Sequence, residues 1–191
     1  MSTTITPKTI VELEAALDTI RQSPCDRGLL RMIVRRPDVG HREVLERAEL
    51  DVAEGLVGDS WRRRTSRRTA DGSPHPDMQI NIMNARVVDL IAQRQERWPL
   101  AGDQLFIDLD LTDANLPPGT RLQIGSAVIE VTAEPHTGCA KFIERFGADA
   151  AKFVNSAVGR ELHLRGINAR VVHAGTIAVG DVVEKIQREV R

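Results

Sequence analysis

The spacing of apolar residues near the start of the chain predicts an amphipathic helix over residues 6–22. Its apolar side chains recur at intervals of three and four residues, which places them on one helix face: Ile10, Leu13, Leu17 and Ile20. Thr9 and Glu12 stand three residues apart, as in a capping box. We expect this helix to be a lid or a packing element, with a partner-binding helix as the alternative.

Several short segments alternate apolar and polar residues, which is the period of a β-strand. In the first, "GLLRMIVRRP", Leu30, Met32 and Val34 should face one way, and Pro37 ends the strand. A second strand is predicted in "LAGDQLFIDLDLT", and a hairpin with a tight Gly-Ser turn in "NLPPGTRLQIGSAVIEVTAEP". Two more short strands, joined by a His-Ala-Gly turn, are predicted in "RGINARVVHAGTIAVGDVVEKI".

Helices are predicted in three further segments. The segment "HREVLERAELDVAEG" should form a helix that Gly55 caps. The segment "DMQINIMNARVVDLIAQRQERW" begins as a strand and becomes helical near Asn84, because the apolar residues after it have helical spacing. A short helix is predicted in "GADAAKFVNSAVGRELH". Residues 56–77, with five arginines, are predicted to be a long loop, and long loops in compact domains often carry function.

The pattern of elements predicts a mainly β fold of the α+β class. Many short strands lie between Gly and Pro turns, and strands do not alternate regularly with helices, which favours a mixed or largely antiparallel β-barrel with peripheral helices. A chain of 191 residues is long enough for one such domain with a proper core. We divide it into an N-terminal amphipathic helix and linker over residues 1–25 and a barrel domain over residues 26–191.

Composition narrows the function classes. A net charge of −1 and an aromatic content of 3%, with no Tyr, argue against a nucleic-acid partner. No apolar run approaches the roughly 20 residues that span a bilayer, and the first residues do not resemble a secretory signal. We therefore expect no membrane partner, a cytoplasmic location and two reduced cysteines, Cys25 and Cys139. The histidines and cysteines show no pair at zinc-ligand spacing.

Cys139 is the candidate reaction centre. A turn-like Pro-His-Thr-Gly precedes it, so Cys139 should occupy the first position of a short helix, where backbone N–H groups and the helix dipole favour the thiolate. His136 and Lys141 would favour the thiolate further, and Gly138 leaves the sulfur uncrowded. Such a thiolate can attack an electrophile, carry sulfur or bind a soft metal. The alternative is a small buried cysteine that only packs.

The order of several blocks resembles the MOSC domain, the module found at the C-terminus of molybdenum cofactor sulfurases. These blocks are "GLVGDSW", the segment from "LAGDQLF" to "HTGCAKF", and "RGINARVVHAGTIAVGD", and the resemblance covers Gly28 to Asp181. It implies a β-barrel whose cysteine, here Cys139, carries a persulfide sulfur or coordinates the molybdenum of a pterin cofactor. Some members of this family reduce N-hydroxylated compounds at the metal.

The resemblance also bears on cofactors and partners. Other MOSC domains follow a pyridoxal-phosphate-dependent desulfurase domain, for which this chain has no room. Pyridoxal phosphate is therefore expected here only through the family resemblance, and a separate desulfurase or molybdoenzyme is a candidate protein partner. The alternative function is a non-catalytic module that binds or delivers the pterin cofactor, with Cys139 structural.

Further polar residues are candidates for holding an anionic cofactor. The run "WRRRTSRR" suits a phosphate, and we select Arg62, Arg63 and Arg64; its alternatives are a solvated loop or a nucleic-acid contact. Asn81 and Asn84 lie where a strand passes into a helix, although Asn84 can equally be a plain N-cap. The remaining candidates are Thr137 and Gly138 beside the cysteine, and Asn168 and Arg170 in the last barrel segment. His75, between two prolines, is a metal ligand, a general acid or an exposed loop residue.

A third chemistry, acyl transfer by Cys139 and His136, would require a carboxylate that orients the histidine. Glu134 is near in sequence, but two positions along an extended segment do not establish contact.

Thiol titration separates a reactive Cys139 from a packing one. We expect Cys139 to alkylate quickly at pH 6, because a lowered pKa leaves it ionised there. A Cys139 that reacts only after the protein unfolds would show that it serves packing.

Overall fold

A closed seven-stranded β-barrel forms the centre of the computed structural model, which describes residues 5–138 and 140–186. The described strands are β1 (Arg27–Arg35), β2 (Glu43–Leu45), β3 (Arg47–Asp51), β4 (Gly55–Leu56), β5 (Ile80–Asn84), β6 (Leu105–Asp108), β7 (Arg121–Ile124), β8 (Ala127–Val131), β9 (Ile167–His173), β10 (Gly175–Ala178) and β11 (Val182–Ile186). The described α-helices are α1 (Ile10–Glu14), α2 (Leu17–Arg21), α3 (Ala85–Ala92), α4 (Ala140–Phe146), α5 (Ala148–Asn155) and α6 (Ala157–Glu161). Short 3-10 helices span Trp61–Arg63, Pro76–Met78 and Gln95–Ala101.

Strand order confirms the predicted mixed barrel. The strands follow one another as β11-β7-β8-β9-β5-β6-β1, and antiparallel pairing of β1 with β11 closes the ring. The β5–β6 pair is parallel, and the other barrel pairs are antiparallel. Strand β2 extends the sheet beyond β1, and a small sheet in the order β10-β3-β4 lies beside the barrel.

The apolar residues form two cores on the two sides of the barrel wall. Leu30, Ile33 and Ile107 belong to the cluster inside the barrel, whereas Met32 and Val34 pack in the helix layer. The prediction that Leu30, Met32 and Val34 share one face is therefore wrong. The β1–β6 register shifts between Leu30 and Met32, and such a bulge reverses the alternation of side chains after it.

The N-terminal amphipathic segment consists of two short helices rather than one. The capping box of Thr9 and Glu12 at the start of α1 is confirmed. Leu13 and Ile20 are buried in the helix-layer core, with Ile10 and Leu17 packed against it. The backbone N–H of Ile10 also donates to the Asp149 carboxylate of α5 at 3.1 Å, which ties α1 to the helix layer.

The helix predicted over residues 41–55 is wrong, because this segment forms β2, β3 and β4. Strand β2 pairs with the end of β1, and β3 pairs with both β10 and β4. Glu, Leu, Ala and Arg favour helices locally, but here strand pairing satisfies the backbone and buries Leu50. Gly55, expected to cap a helix, lies in β4 at a φ of +74°.

Other local predictions are confirmed. Strand β5 passes into α3 at Asn84, and the β7–β8 hairpin turns at Gly125 and Ser126. The final segment contains three strands where two were predicted, since residues 167–186 form β9, β10 and β11. The described part of the chain contains no helix long and apolar enough to cross a membrane.

Replacement of Asn84 by Ala should lower the free energy of unfolding by about 2–4 kcal/mol. Its Oδ1 caps α3 by accepting from the N–H groups of Arg86 and Val87, and its buried amide donates to Ser23 Oγ and the Leu109 carbonyl. Asn84→Ser keeps a capping oxygen and should lose less. Urea unfolding measures both variants against Thr9→Ala, which removes an exposed cap; equal losses for Asn84→Ala and Thr9→Ala would contradict the assignment.

Candidate functional site

A cavity of about 160 Å³ lies between the 57–78 loop and the barrel. Arg36, just after β1, and Asn81 of β5 line it on the barrel side. The loop supplies the remaining lining residues: Trp61, Arg64, Thr65, Ser66, Pro74, His75 and Met78. The predicted long loop therefore covers one end of the barrel and encloses a polar space there.

Arg36 is a buried cation at the base of this cavity. Its Nε and Nη2 donate to the two oxygens of Asp59 at 2.9 and 3.0 Å, and its Nη1 donates to Asn81 Oδ1 and the Gly102 carbonyl, both at 2.8 Å. Burial would raise the pKa of Asp59, but the hydrogen bonds and charge of Arg36 hold that pKa below its ordinary value. The pair is ionised and fixed in place.

Two more arginines, Arg64 and Arg42, lie close to Arg36, and neither forms an ion pair with a carboxylate in the described residues. Desolvation and then the charge of Arg36 lower the pKa of Arg64 to about 10, so Arg64 remains a cation at neutral pH. Desolvation also lowers the pKa of the half-buried Arg42, with the charges of Arg145 and Arg36 acting in the same direction. The buried Nε of Arg42 has no hydrogen-bond partner among the described residues. This concentration of cations favours an anionic ligand.

A second buried charge network contains His136. Its Nε2 lies 2.8 Å from Oδ1 of the fully buried Asp103, which also accepts from Arg165 Nη1 at 3.1 and 2.8 Å. Burial and then the charge of Arg165 lower the pKa of His136, and they outweigh Asp103, which raises it. Burial acts to raise the pKa of Asp103, but Arg165 and His136 keep it below its ordinary value. His136 is therefore a neutral imidazole beside an ionised carboxylate.

A chain of amides connects the cavity to the segment before Cys139. Asn81 Nδ2 donates to Asn168 Oδ1 at 2.6 Å across the β5–β9 pair, and Asn168 Nδ2 donates to the Glu134 carbonyl at 3.0 Å. The Glu134 side chain forms an ion pair with Arg68 and lies 3.7 Å from His75 Nε2. The carboxylate that contacts His136 is therefore Asp103 and not Glu134, which is nearer in sequence. Asp103 could serve as the orienting carboxylate that the acyl-transfer alternative requires.

The structure brings together only some of the residues selected from the sequence. Arg64, Asn81 and His75 line the cavity, and Asn168 and His136 lie in the adjoining networks. Gly138 donates its N–H to Asn155 Oδ1 at 3.1 Å; Thr137 and Lys141 are exposed. Cys139 itself lies outside the described residues.

The other polar residues selected from the sequence do not line the cavity. Arg62 pairs with Glu54 at 3.2 Å, and Arg63 donates to the Pro37 carbonyl. Arg170 pairs with Asp77 and Glu130, at 3.0 and 2.7 Å. Asn84 caps α3 with its amide fully used, which is the alternative considered from the sequence. Within residues 5–138 and 140–186, no three metal-ligating side chains converge on a possible metal position.

Sequence reasoning missed five residues of this site: Arg36, Arg42, Asp59, Asp103 and Arg165. The sequence contains a signal for Asp59 and Asp103, because each follows a glycine in the blocks "GLVGDSW" and "LAGDQLF". In each pair the glycine has a positive φ, +80° at Gly58 and +91° at Gly102. The aspartate that follows each turn enters the interior and meets an arginine.

These features define a class of protein: a small mixed β-barrel with a cationic site under a long loop. The family model of the MOSC domain matches residues 68–184, and the chain belongs to that family. No curated protein matches the sequence.

Solved structures show the same fold at low sequence identity. The YuaD protein from Bacillus subtilis is 19% identical with a TM-score of 0.63, over 84% of this chain and 97% of that one. YiiM from Escherichia coli is 19% identical with a TM-score of 0.54, over 85% and 72% of the two chains.

The free energy of unfolding should fall as the pH drops from about 6.5 to 5. An unfolded histidine binds a proton near its ordinary pKa of 6.5, whereas folded His136 has a lower pKa, so acid favours the unfolded chain. The lowered pKa values of Asp59 and Asp103 add a second loss only below their ordinary value of 3.8.

Urea unfolding at intervals between pH 5 and 7.5 measures this dependence. His136→Gln should flatten the decline, and His41→Gln, at an exposed position, should keep it. An unchanged slope in His136→Gln would show that another group causes the decline.

Proposed function

We propose that this MOSC domain binds an anionic pterin-molybdenum cofactor and uses Cys139 as a sulfur carrier or as a molybdenum ligand. The observation that carries the proposal is the excess of arginine charge at the cavity. Arg36 is matched by Asp59, whereas Arg64, which also lines the cavity, has a lowered pKa and no carboxylate hydrogen bond of its own in the described part of the chain. A phosphate bound in the cavity would compensate this charge.

The donor geometry supports a phosphate. Arg64 uses Nε and Nη2 on Ser60 Oγ at 3.0 and 2.8 Å, and its Nη1 has no hydrogen-bond partner in the residues described. Ser60 follows Asp59, so Arg64 is held by the same turn that holds Arg36.

The size of the cavity limits what it can hold. At about 160 Å³ it is smaller than the roughly 300 Å³ at which small-molecule sites begin. We therefore assign to it the phosphate end of the cofactor, with the rest of the ligand outside it. When bound, the molybdenum centre would supply the reductive or sulfur chemistry, and the protein would orient the cofactor through its arginines and amides.

The residues that line the cavity do not fit pyridoxal phosphate. Covalent attachment of that cofactor needs a lysine amine, and the chain's lysines are at positions 8, 141, 152 and 185. No lysine lines the cavity. A separate desulfurase as partner would supply sulfur without this chain binding pyridoxal phosphate, and a molybdoenzyme partner would receive the loaded cofactor.

Analysis of the protein purified from its own host tests the proposal. We expect stoichiometric molybdenum, which would indicate a metal ligand, or an added sulfur atom on Cys139 in the intact mass, which would indicate a carrier. Cys139→Ser should fold normally and lose the activity and the added sulfur. Arg64→Gln should weaken cofactor retention about tenfold or more, because a charged hydrogen bond contributes about 1.5–3 kcal/mol.

Arg67→Gln is the matched control, since Arg67 is exposed on the same loop, as Arg64 is, but does not line the cavity. Protein without molybdenum, pterin or added sulfur would contradict the proposal. Full activity and cofactor content in Cys139→Ser would instead support the delivery module with a structural Cys139.

A further inference from the structure

The imidazole ring of His136 is hydrogen-bonded at Nε2 and lies beside Gly166. Its Nε2 contacts Asp103 Oδ1 at 2.8 Å, and its Cδ2 lies 3.3 Å from the position that a Cβ on Gly166 would take. Gly166 has a φ of +109°, and the same Cβ would stand 2.1 Å from the Ile82 carbonyl oxygen. A side chain at position 166 would therefore clash with the Ile82 carbonyl and crowd the His136 ring.

Asp103 is in turn held by Arg165. Arg165 Nη1 donates to both carboxylate oxygens, and its Nη2 donates to the Ala101 carbonyl at 3.0 Å. The guanidinium also lies over the Phe142 ring of α4, 5.1 Å from the ring centre. Asp103 and Arg165 are both at least nine-tenths buried, so neither is free to rotate toward solvent.

Hydrogen-bond chemistry then decides the state of the imidazole. An ionised carboxylate only accepts hydrogen bonds, so the nitrogen that contacts Asp103 must carry the hydrogen. A doubly protonated ring would place two cations, His136 and Arg165, on one buried carboxylate, with Arg36 also near. A neutral ring has one N–H, which leaves Nδ1 as a bare acceptor. That nitrogen has no partner among residues 5–138 and 140–186.

We propose that Asp103 and Arg165 are positioning residues that hold His136 as its Nε2–H tautomer, so that Nδ1 is an acceptor for an N–H or O–H donor of the bound ligand. His136 stands three residues before Cys139 in the chain and belongs to the charge network that adjoins the cavity. The ligand part of this inference rests on the proposed function, whereas the tautomer is a property of the protein alone. The carboxylate and the guanidinium act through the histidine and do not themselves touch the ligand.

Nitrogen-15 NMR of histidine-labelled protein tests the tautomer directly, because protonated and bare ring nitrogens resonate in separate regions. His136→Gln assigns the signal among the five histidines. We expect the wild-type protein at pH 7.5 to show Nε2 protonated and Nδ1 bare. In Asp103→Asn the carboxamide can donate to Nε2, so the two ring nitrogens should exchange their positions in the spectrum.

Asp59→Asn is the matched control. It also removes one charge from a buried arginine–aspartate pair, but that pair does not touch His136, so the wild-type tautomer should remain. A wild-type ring with Nδ1 protonated, or with both nitrogens protonated at pH 7.5, would overturn the inference. So would an unchanged spectrum in folded Asp103→Asn. If that variant does not fold, the wild-type spectrum alone decides.

The two proposals fail in different ways. Absence of bound pterin and molybdenum would remove the proposed function and leave the NMR result standing. A wrong tautomer would remove this inference and leave cofactor binding by Arg64 untouched. In the ligand-bound protein, Asp103→Asn should remove the acceptor at His136 Nδ1. We therefore expect it to change the pH profile of the reaction and not only the stability of the protein.

Discussion

A buried guanidinium must be matched by charge and hydrogen bonds, and Arg36 meets this requirement by joining four segments of the chain. It follows β1, holds Asp59 of the loop, and donates to Asn81 of β5 and to the carbonyl of Gly102. Loss of one partner of such a pair typically costs about 3–5 kcal/mol, because the other charge stays buried. The position of the loop over the barrel therefore depends on this residue, and with it the cavity.

The second buried pair repeats the same arrangement. Asp59 and Asp103 each follow a glycine with positive φ, and each meets an arginine from a distant part of the chain, Arg36 or Arg165. The Gly102 carbonyl accepts from Arg36 while Asp103 accepts from Arg165, so adjacent residues connect the two pairs. The third Gly-Asp, at Gly180, differs: Asp181 accepts from the backbone N–H of Ala178 and shapes a turn.

The two networks differ in charge. In the described residues the Arg36 side has more arginine than carboxylate groups, which under the proposed function suits the anionic part of a ligand. The His136 side pairs one arginine with one carboxylate, and the inferred tautomer would give it an acceptor nitrogen close in sequence to Cys139. The Asn81–Asn168 pair and the Glu134 carbonyl lie between them and fix their relative position through backbone and amide hydrogen bonds.

Local patterns in the sequence determined the apolar stripe of α1 and α2, the passage from β5 to α3 at Asn84, the β7–β8 hairpin and the mixed barrel class. Each depends on residues a few positions apart. The two buried ion pairs join residues that are 23 and 62 positions apart in the sequence, and no short-range sequence pattern identifies such partners. Only the tertiary structure shows that Arg64, and not Arg62 or Arg63, lines the cavity. It also shows that residues 43–56 form strands. It also reversed the face of Met32, because strand pairing and charge burial are settled between distant segments and outweigh local propensity.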